Sequence, residues 1–446
     1  MRARTTPQRA KYLVMQQSLD VEITDLSHDG RGVARVDGKA VFVSGALPGE
    51  RARVRLSSRH RAYSEARLEE LLTRSPLRIE ARCPHFGQCG GCALQHLPAE
   101  DQIAAKQRVL AENFERIGKV SPAQWLAPLT DAPWGYRRKG RLSVKWVEKK
   151  NKAVVGFRET NPKFIADLGE CHTLLPEVGL RIKAISELIG SLAARDRIAQ
   201  IEIAAGDSTV ALILRNLVPL TDSDTAQLIA FARTHDLAVL LQPGGPDSVQ
   251  ALWPEHIALS FRIPASAVEL AFEPLDFVQV NAGMNQRMIA RALELLDVQS
   301  SDNVLDLFCG LGNFTLPVAR CVEQVTGVEG EAGLVARAQA NARRNGLDNV
   351  QFHAADLASD QSTTAWARAN YTSILLDPPR SGAAAVLEYL PRKGCDRLVY
   401  VSCHPGSLAR DAGTLVARHG FRLVQAGVMD MFPQTAHVES IALFQR

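Results

Sequence analysis

The sequence predicts an α/β protein of three parts: a small N-terminal β-barrel, a central α+β region and a C-terminal doubly wound sheet. Three observations carry this prediction. Short strands broken by glycine turns fill the first part, three cysteines crowd into ten residues of the second, and strands alternate with helices from about Pro274 onward. A chain of 446 residues is too long for one compact core. We therefore expect domains at residues 12–74, 75–273 and 274–446.

Five short strands are predicted between about Leu13 and Glu70. Turns at residues 29–32 and at Asp37-Gly38 separate them, and the second turn is typical of a hairpin. Basic residues alternate along the strand predicted from Arg51 to Leu56. This pattern indicates a small barrel of the OB type, which commonly binds nucleic acids.

The net charge of +4 is distributed unevenly along the chain. Two basic clusters precede the C-terminal sheet: Arg51, Arg53, Arg55, Arg59, Arg61 and Arg67, and then Arg137, Arg138, Lys139, Arg141, Lys145, Lys149, Lys150 and Lys152. One such cluster alone could be a solvated surface. Two of them favour contact with the phosphate backbone of a nucleic acid.

No apolar run approaches the roughly 20 residues that a membrane helix needs. The basic first dozen residues are not followed by the apolar stretch of a secretory signal. A cytoplasmic location without membrane association is therefore expected. The eight cysteines are accordingly not interpreted as a disulfide set.

The C-terminal part alternates between strands and helices. Its strands are predicted at Val304–Phe308, Gln324–Val328, Val350–His353, Ile374–Asp377, Leu398–Ser402, Phe421–Val428 and Glu439–Phe444. A helix is predicted at Asn285–Leu296 in this part, and two helices precede it at Ala99–Ile117 and Leu174–Leu192. The last two strands follow each other without a clear helix between them. Five strand–helix units that end in an antiparallel pair are typical of a doubly wound sheet.

The first strand of this sheet leads into a turn with the pattern Gly310-Leu311-Gly312. Glycines let the backbone approach a ligand, and the helix that follows offers free N–H groups. Glu329 ends the next strand, where an acid can bind ribose hydroxyls, although it could also be a surface acid. Thr315 stands where a dinucleotide site would have a third glycine, so the pattern favours S-adenosylmethionine. Asp356, after the third strand, is a candidate partner of the adenine amino group.

The fourth strand ends in Asp377-Pro378-Pro379-Arg380. Two prolines stop the strand and stiffen the turn, which holds Asp377 at the edge where such sheets bind substrates. A strand-terminating turn would explain the prolines. It would not explain an acid and an arginine together at that edge.

Cys403 ends the fifth strand, just before a helix predicted near Pro405. It could be a buried structural cysteine, but a cysteine at a helix start can have a lowered pKa and act as a thiolate. A thiolate that adds to carbon 6 of uracil makes carbon 5 electron-rich, and a base must later remove the carbon 5 proton. Glu439 is the best candidate for that base.

Together Asp306–Phe314, Asp377–Arg380, the segment Ser402-Cys403-His404-Pro405 and the segment His437-Val438-Glu439-Ser440 resemble the RNA uracil-C5 methyltransferases over nearly the whole chain. The resemblance implies a Rossmann-like methyltransferase domain with Cys403 as nucleophile and Glu439 as base. It also implies that S-adenosylmethionine is contacted by Gln279 (within Phe277–Asn281), Phe308, Asn313, Glu329, Asp356 and Asp377.

Cys83, Cys89 and Cys92 form a dense thiol segment, and Cys171 is the other cysteine of the N-terminal half. Four thiolates suit either an iron–sulfur cluster or structural zinc, and the spacing does not decide between them. The resemblance implies a [4Fe-4S] cluster together with a TRAM-type barrel. This combination is similar to the bacterial subgroup that methylates uracil 1939 of 23S rRNA. Because the target carbon lies inside a stacked base, we expect a loop uridine to be flipped into the pocket, and we expect no obligate protein partner.

Other functions remain possible at this point. A tRNA uracil methyltransferase, or a 23S rRNA enzyme acting at another uracil, would share the chemistry but usually lacks the barrel. The missing third glycine argues against a nicotinamide oxidoreductase. A non-enzymatic iron–sulfur RNA-binding module would leave Cys403 and Glu439 without a role.

Overall fold

The computed structural model describes residues 18–390 and 394–446, which form two compact units. The first unit contains the chain up to Lys106 with Arg158–Ala166 and Pro433–Ala436, and the second contains Gln107–Phe157, Asp167–Phe432 and His437–Arg446. The barrel start predicted at residue 12 lies outside the described residues. None of the helices in the described ranges is long and apolar enough to cross a membrane.

The first unit is built around one curled sheet. Its strands are β1 (Ser18–Glu22), β2 (Asp25–Leu26), β3 (Gly32–Val36), β4 (Lys39–Ser44), β5 (Arg51–Arg59) and β6 (Tyr63–Thr73). They lie in the order β1-β5-β6-β4-β3-β2, and β1 also packs against β3. Ala52, Val54 and Leu56 point into the core while Arg51 and Arg55 are exposed, as the predicted alternation requires.

The second unit contains the remaining strands and most of the helices. Its first strands are β7 (Gln124–Trp125), β8 (Lys139–Val147), β9 (Lys152–Gly156), β10 (Ile198–Ala205), β11 (Val210–Asn216), β12 (Ala238–Leu241), β13 (Gln250–Trp253), β14 (Ser260–Ile263) and β15 (Val268–Ala271). Six of them form a mixed sheet in the order β13-β12-β11-β10-β8-β9, and β14 and β15 form a hairpin. This mixed sheet belongs to the region predicted as α+β.

The C-terminal sheet has the predicted doubly wound form. Its strands are β16 (Asn303–Leu307), β17 (Gln324–Glu329), β18 (Val350–Ala354), β19 (Ser373–Leu376), β20 (Arg397–Ser402), β21 (Arg422–Met429) and β22 (Glu439–Gln445). The order is β18-β17-β16-β19-β20-β22-β21-β7, with five parallel strands and an antiparallel β22 between β20 and β21. The carboxyl ends of the parallel strands therefore share one edge.

The helices follow the predicted alternation with two differences. They are α1 (Ala99–Asn113), α2 (Pro176–Gly179), α3 (Ile182–Ser191), α4 (Asp222–His235), α5 (Ala282–Leu296), α6 (Thr315–Ala319), α7 (Ala332–Arg344), α8 (Ala365–Arg368), α9 (Ala384–Tyr389) and α10 (Pro405–His419). The helix predicted to reach Ile117 ends as α1 and continues as one π-helical turn, Phe114–Gly118. The single helix predicted from Leu174 is two helices, because the Gly179 carbonyl accepts the Cys171 N–H (2.8 Å).

Candidate functional site

A strained turn lies at the carboxyl end of β16. Phe308 has a φ of 66°, and Gly310 and Gly312 have φ values of 53° and 91°. The N–H groups of Phe308 and Cys309 both donate to the carbonyl of Val328 on the neighbouring strand, which fixes the turn against β17. A side chain at Gly310 would meet no atom within 4 Å, so open space adjoins the backbone there. The turn can therefore hold a ligand close to its backbone.

Glu329 organises this turn from the end of β17. One carboxylate oxygen accepts the N–H of Gly310 (3.1 Å), and the other accepts the N–H groups of Gly330 (2.7 Å) and Glu331 (3.1 Å). Asp306 lies beneath the turn, fully buried, and accepts the Thr315 hydroxyl (2.5 Å) on one oxygen while the other has no partner. Polar groups thus line the turn where a ribose or an amino-acid group could bind.

The other predicted cofactor residues lie in different surroundings. Asn313 exchanges two hydrogen bonds of 2.9 Å with the side chain of Asn285 on α5. Asp356 is exposed and accepts the Ala358 N–H (3.0 Å) and the Ser359 hydroxyl (2.7 Å), which lower its pKa. Asp356 is thus held in a surface turn after β18.

Gln279 lies in a segment that two basic residues hold. The Arg138 Nε donates to the Gln279 carbonyl (2.9 Å), and the Arg138 backbone N–H donates to the carbonyl of Val280 (2.9 Å). The Lys139 Nζ donates to the carbonyl of Pro274 (2.7 Å). Burial lowers the pKa of Arg138 to about 10 and that of Lys139 to about 8. The prediction that Arg138 contacts a nucleic-acid backbone was therefore wrong, because this residue is buried and holds residues 279–280. Lys139 is half-buried and holds the carbonyl of Pro274.

Cys403 follows β20 directly and lies just before α10. His404 caps the helix, since its Nδ1 accepts the N–H of Ser407 (3.1 Å). Ser402 also accepts the His404 N–H (3.2 Å) on its hydroxyl. The cysteine is therefore held at the same edge of the sheet as the glycine turn, as the sequence predicts.

The register of the β20–β22 pair places Glu439 at the same end as Cys403. Ser402 on β20 faces Ser440 on β22, and the Ser440 hydroxyl donates to the Ser402 carbonyl (3.2 Å). The residue after Ser402 and the residue before Ser440 are therefore brought to the same end of the pair. Glu439 is buried, with 3% of its surface exposed.

The electrostatics of this edge are dominated by carboxylates. Burial raises the pKa of Asp377 to about 7 and that of Asp306 to about 7, the latter also through Asp377 and Glu329. Burial and the nearby Asp377 raise the pKa of Glu439 well above its ordinary value. The predicted residues Glu329, Asp377 and Glu439 are thus linked electrostatically: Glu329 and Asp377 both raise the pKa of Asp306, and Asp377 raises that of Glu439.

The structure corrects the expectation of a lowered pKa for Cys403. Burial, then the carboxylates of Glu439 and Asp377, raises the pKa of this thiol to about 11. The start of α10 does not outweigh burial beside two acids. Arg380 lowers the pKa of both Cys403 and Glu439, and its Nη2 donates to the Nδ1 of His437 (2.8 Å). The sequence indicates no role for Arg380 beyond its unusual place beside an acid, and it predicts none for His437.

Cys83, Cys89 and Cys92 lie in one turn-rich segment of the first unit. The Cys89 N–H donates to the carbonyl of His85 (2.9 Å), and the Gly91 N–H points to the Cys89 sulfur (3.4 Å). Such N–H···S contacts and three thiols fit a thiolate-bound metal group in their chemistry. In residues 18–390 and 394–446, however, no three His, Cys, Asp or Glu side chains are grouped to hold a metal ion.

Cys171, the predicted fourth ligand, belongs to the second unit. It is buried, and its sulfur lies 3.3 Å from the hydroxyl oxygen of Thr173.

The basic residues of β5 are partly neutralised on the surface of the first unit. Arg53 pairs with Asp20 (2.9 Å) and Glu70 (2.8 Å), and Arg55 pairs with Glu69. Beside them the rings of His60 and Tyr63 stack at 4.4 Å. Stacked rings among cations are suited to contact with single-stranded nucleic acid.

Two family models match the chain. The model described as tRNA (Uracil-5-)-methyltransferase matches residues 254–446, and the TRAM domain model matches residues 16–68.

Curated relatives match almost the entire chain. The 23S rRNA (uracil(1939)-C(5))-methyltransferase RlmD of Xanthomonas euvesicatoria pv. vesicatoria (strain 85-10) is 60% identical over 427 residues, 95% of this chain and 96% of the relative. The protein of the same name from Stenotrophomonas maltophilia (strain R551-3) is 57% identical over 441 residues, 98% of this chain and 99% of the relative.

A solved structure has the same fold. The crystal structure of Pyrococcus abyssi tRNA (uracil-54, C5)-methyltransferase in complex with S-adenosyl-L-homocysteine superposes with a TM-score of 0.73. It covers 95% of this chain and 99% of that chain at 22% identity.

Proposed function

Because this chain belongs to the family of RNA uracil-C5 methyltransferases, we propose that it methylates carbon 5 of a uridine in 23S rRNA through a covalent bond from Cys403. The uridine is the one that its relatives' names give, position 1939. The observation that carries the proposal is that Cys403 and Glu439 occupy the same end of paired strands, with Arg380 acting on both.

The first step is addition of Cys403 to the uracil ring. The thiol proton leaves to solvent, the sulfur bonds to carbon 6, and the electrons of the C5=C6 double bond move towards oxygen 4, which makes carbon 5 nucleophilic. A pKa of about 11 keeps the thiolate scarce at neutral pH, so the cation of Arg380 favours this step.

The later step needs a base. S-adenosylmethionine, when bound, supplies an electrophilic methyl group on a positively charged sulfur. Once carbon 5 carries the methyl group, the ionised carboxylate of Glu439 takes the carbon 5 proton. The electrons of that C–H bond restore the C5=C6 double bond, and the bond between carbon 6 and the Cys403 sulfur breaks. Arg380 supports this step too, because it lowers the pKa of Glu439.

Residues around the glycine turn fit S-adenosylmethionine, since open space adjoins Gly310 and a buried oxygen of Asp306 has no partner. In this proposal Glu329 binds the ribose hydroxyls and Asp356 the adenine amino group. Contacts to the rest of the cofactor come from Gln279, Phe308, Asn313 and Asp377. Asp377 also acts electrostatically on Cys403, so it connects the cofactor side of the site to the nucleophile.

A ribosomal substrate is favoured over tRNA by the names of the relatives that are 57% and 60% identical over almost the whole chain, which are 23S rRNA enzymes. The TRAM match at residues 16–68 and the stacked His60 and Tyr63 beside basic residues support an additional contact with RNA. A loop uridine must leave its stack to reach Cys403, so base flipping is part of the proposal. A tRNA uracil-C5 methyltransferase is the alternative function, because one matching family model carries that description.

A [4Fe-4S] cluster is proposed on the donor chemistry of Cys83, Cys89 and Cys92. Its role would be to brace the RNA-binding part of the chain, since methyl transfer needs no electron. Anaerobically purified protein should then contain about four irons and lose them in Cys89→Ser. An iron-free wild type with full activity would remove the cluster from the proposal.

The deciding experiment uses a 23S rRNA fragment with 5-fluorouridine at position 1939, incubated with the protein and S-adenosylmethionine. Fluorine cannot leave as a proton does, so the reaction should stop at a covalent protein–RNA adduct that survives a denaturing gel. Cys403→Ala should form no adduct, whereas Cys321→Ala, which changes an exposed cysteine elsewhere, should form it normally. If a tRNA fragment with 5-fluorouridine forms the adduct and the 23S rRNA fragment does not, the alternative function as a tRNA uracil-C5 methyltransferase is favoured.

A further inference from the structure

A fully buried carboxylate on α10 has no role in the mechanism above. Asp411 lies two turns beyond Cys403 on the helix that begins beside the nucleophile, and none of its surface is exposed. A buried carboxylate is costly unless its oxygens are hydrogen-bonded. The groups that bind Asp411 therefore indicate what it does.

Both oxygens of Asp411 are used, and the partners come from three elements. One oxygen accepts the hydroxyl of Tyr400 on β20 (2.7 Å) and the N–H of Ala383 (2.7 Å). The other accepts the Nε of Arg410 (2.8 Å), and the Arg410 Nη2 donates to the carbonyl of Ser381 (2.8 Å). The Tyr400 hydroxyl also accepts the N–H of Ala383 (3.1 Å).

Ala383, and Ser381 which is bound by Arg410, belong to the loop that carries Arg380. The loop turns through Gly382, which has a φ of 81° and whose N–H donates to the carbonyl of Pro379 (2.8 Å). A side-chain carbon at Gly382 would lie 2.5 Å from an oxygen of Asp411, so the loop packs directly on this carboxylate. Asp411 therefore fixes the loop after residue 380 to the strand before Cys403 and to the helix after it.

We infer that Asp411 is a positioning residue that holds the Arg380 loop against the strand and helix flanking Cys403. This inference rests on the proposed covalent mechanism. The charged groups that act on Cys403 are Glu439 on β22, and Asp377 and Arg380 at the end of β19. The two acids are held by their strands, whereas Arg380 is exposed in a loop whose backbone Asp411 anchors, and its side chain donates to the Nδ1 of His437 (2.8 Å). Without that anchor we expect the electrostatic effect of Arg380 on Cys403 to weaken.

The test is Asp411→Asn in the full-length protein, a change of similar size that removes the charge and replaces an acceptor oxygen by a donor. Alkylation of Cys403 by iodoacetamide, followed by peptide mass spectrometry across pH, reports the ionisation of this thiol without RNA. We expect its midpoint to move to higher pH. Adduct formation with 5-fluorouridine RNA should slow about tenfold, while affinity for S-adenosylmethionine stays within about twofold.

A double-mutant cycle on the alkylation midpoint decides whether Asp411 acts through Arg380. Arg380→Gln alone should raise the midpoint, and Asp411→Asn added to it should raise it no further. An equal additional shift in the Arg380→Gln background would overturn the inference, as would an unchanged midpoint in folded Asp411→Asn.

If Asp411→Asn does not fold, Tyr400→Phe decides by the same two criteria, because it removes one donor and keeps the carboxylate. The control is Glu388→Gln, which changes an exposed carboxylate paired with Arg418 (3.1 Å) and should behave as wild type. Absence of the adduct in the wild-type protein would instead refute the proposed covalent function, and the two failures are thereby distinguished.

Discussion

Burial and the carboxylate of Glu439 raise the pKa of the Cys403 thiol, and the pairing of β20 with β22 brings the two residues to the same end of the strand pair. Because the pKa of Cys403 and that of Glu439 are both raised, each group favours its protonated form. Cys403 must lose its proton before it attacks, and Glu439 must lose its proton before it acts as a base. The nucleophile and the base therefore cannot both be ionised cheaply before substrate binds. Their separate roles can be tested independently.

Glu439→Gln should stop the reaction after methyl transfer, because no carboxylate remains to take the carbon 5 proton. Ordinary RNA without fluorine should then accumulate as a covalent adduct with Cys403, while methylated product falls at least about a hundredfold. Denaturing electrophoresis with radiolabelled methyl groups measures both. Product release at the normal rate would exclude Glu439 as the base, and Glu388→Gln is the matched exposed control.

Asp377→Asn should make stability less dependent on pH. The pKa of Asp377 is raised from 3.8 to about 7, so folded protein keeps this proton over a range in which unfolded chain has lost it. The stabilisation present below pH 3.8 is therefore lost as pH rises towards 7. Without this group, the slope of unfolding free energy against pH should shrink by up to about 1.4 kcal/mol per pH unit. Urea unfolding at several pH values measures it; Asp247→Asn, at an exposed site, should keep the wild-type slope.

Arg138→Met should weaken cofactor binding rather than RNA binding. The substitution removes the Nε donor to the Gln279 carbonyl and leaves that carbonyl without its partner. Affinity for S-adenosylmethionine, measured by calorimetry, should fall about tenfold. The salt dependence of RNA binding should stay unchanged, because a buried side chain contacts no phosphate. A reduced salt slope would instead place Arg138 in the RNA interface, and exposed Arg141 provides the comparison variant Arg141→Gln.

Replacing Arg59 and Arg61 by glutamine should reduce the salt dependence of RNA binding. Neither side chain forms an ion pair within the described ranges, so both are available to phosphates beside the stacked rings of His60 and Tyr63. The slope of log affinity against log salt should fall by about 0.7 for each phosphate of a single strand that is no longer neutralised. Fluorescence polarisation with a labelled rRNA fragment gives the slope. Arg53→Gln should have a smaller effect, since Asp20 and Glu70 already neutralise Arg53.

Periodicity and turn residues predicted the framework of the C-terminal sheet well. Each strand predicted from Val304 to Phe444 is present, with ends that differ by at most one residue. These strands are long apolar runs bounded by glycine, proline or acid, a pattern that local sequence determines. The edge strand β7 was not predicted, because Gln124 and Trp125 become a strand only through pairing with β21.

The electrostatics of the site could not be predicted from sequence. The position of Cys403 before a helix suggested a lowered pKa, but the pairing of β20 with β22 places buried Glu439 beside it. The charges of Arg138 and Lys139 similarly suggested a surface that binds nucleic acid. In the structure both side chains donate hydrogen bonds to backbone carbonyls of residues 274–279. The sequence shows which residues can carry a charge, but whether such a residue is buried depends on segments that are distant in the sequence.

The position of β22 has a consequence for how the enzyme is made. This strand lies between β20 and β21 although it follows both along the chain. During synthesis the two outer strands leave the ribosome before the strand that separates them, and until then each has an open edge that can pair wrongly. Glu439 is the first residue of β22, so sheet closure and the base arrive together. A product truncated before β22 would keep Cys403 but would lack both the base and the strand that pairs with β20.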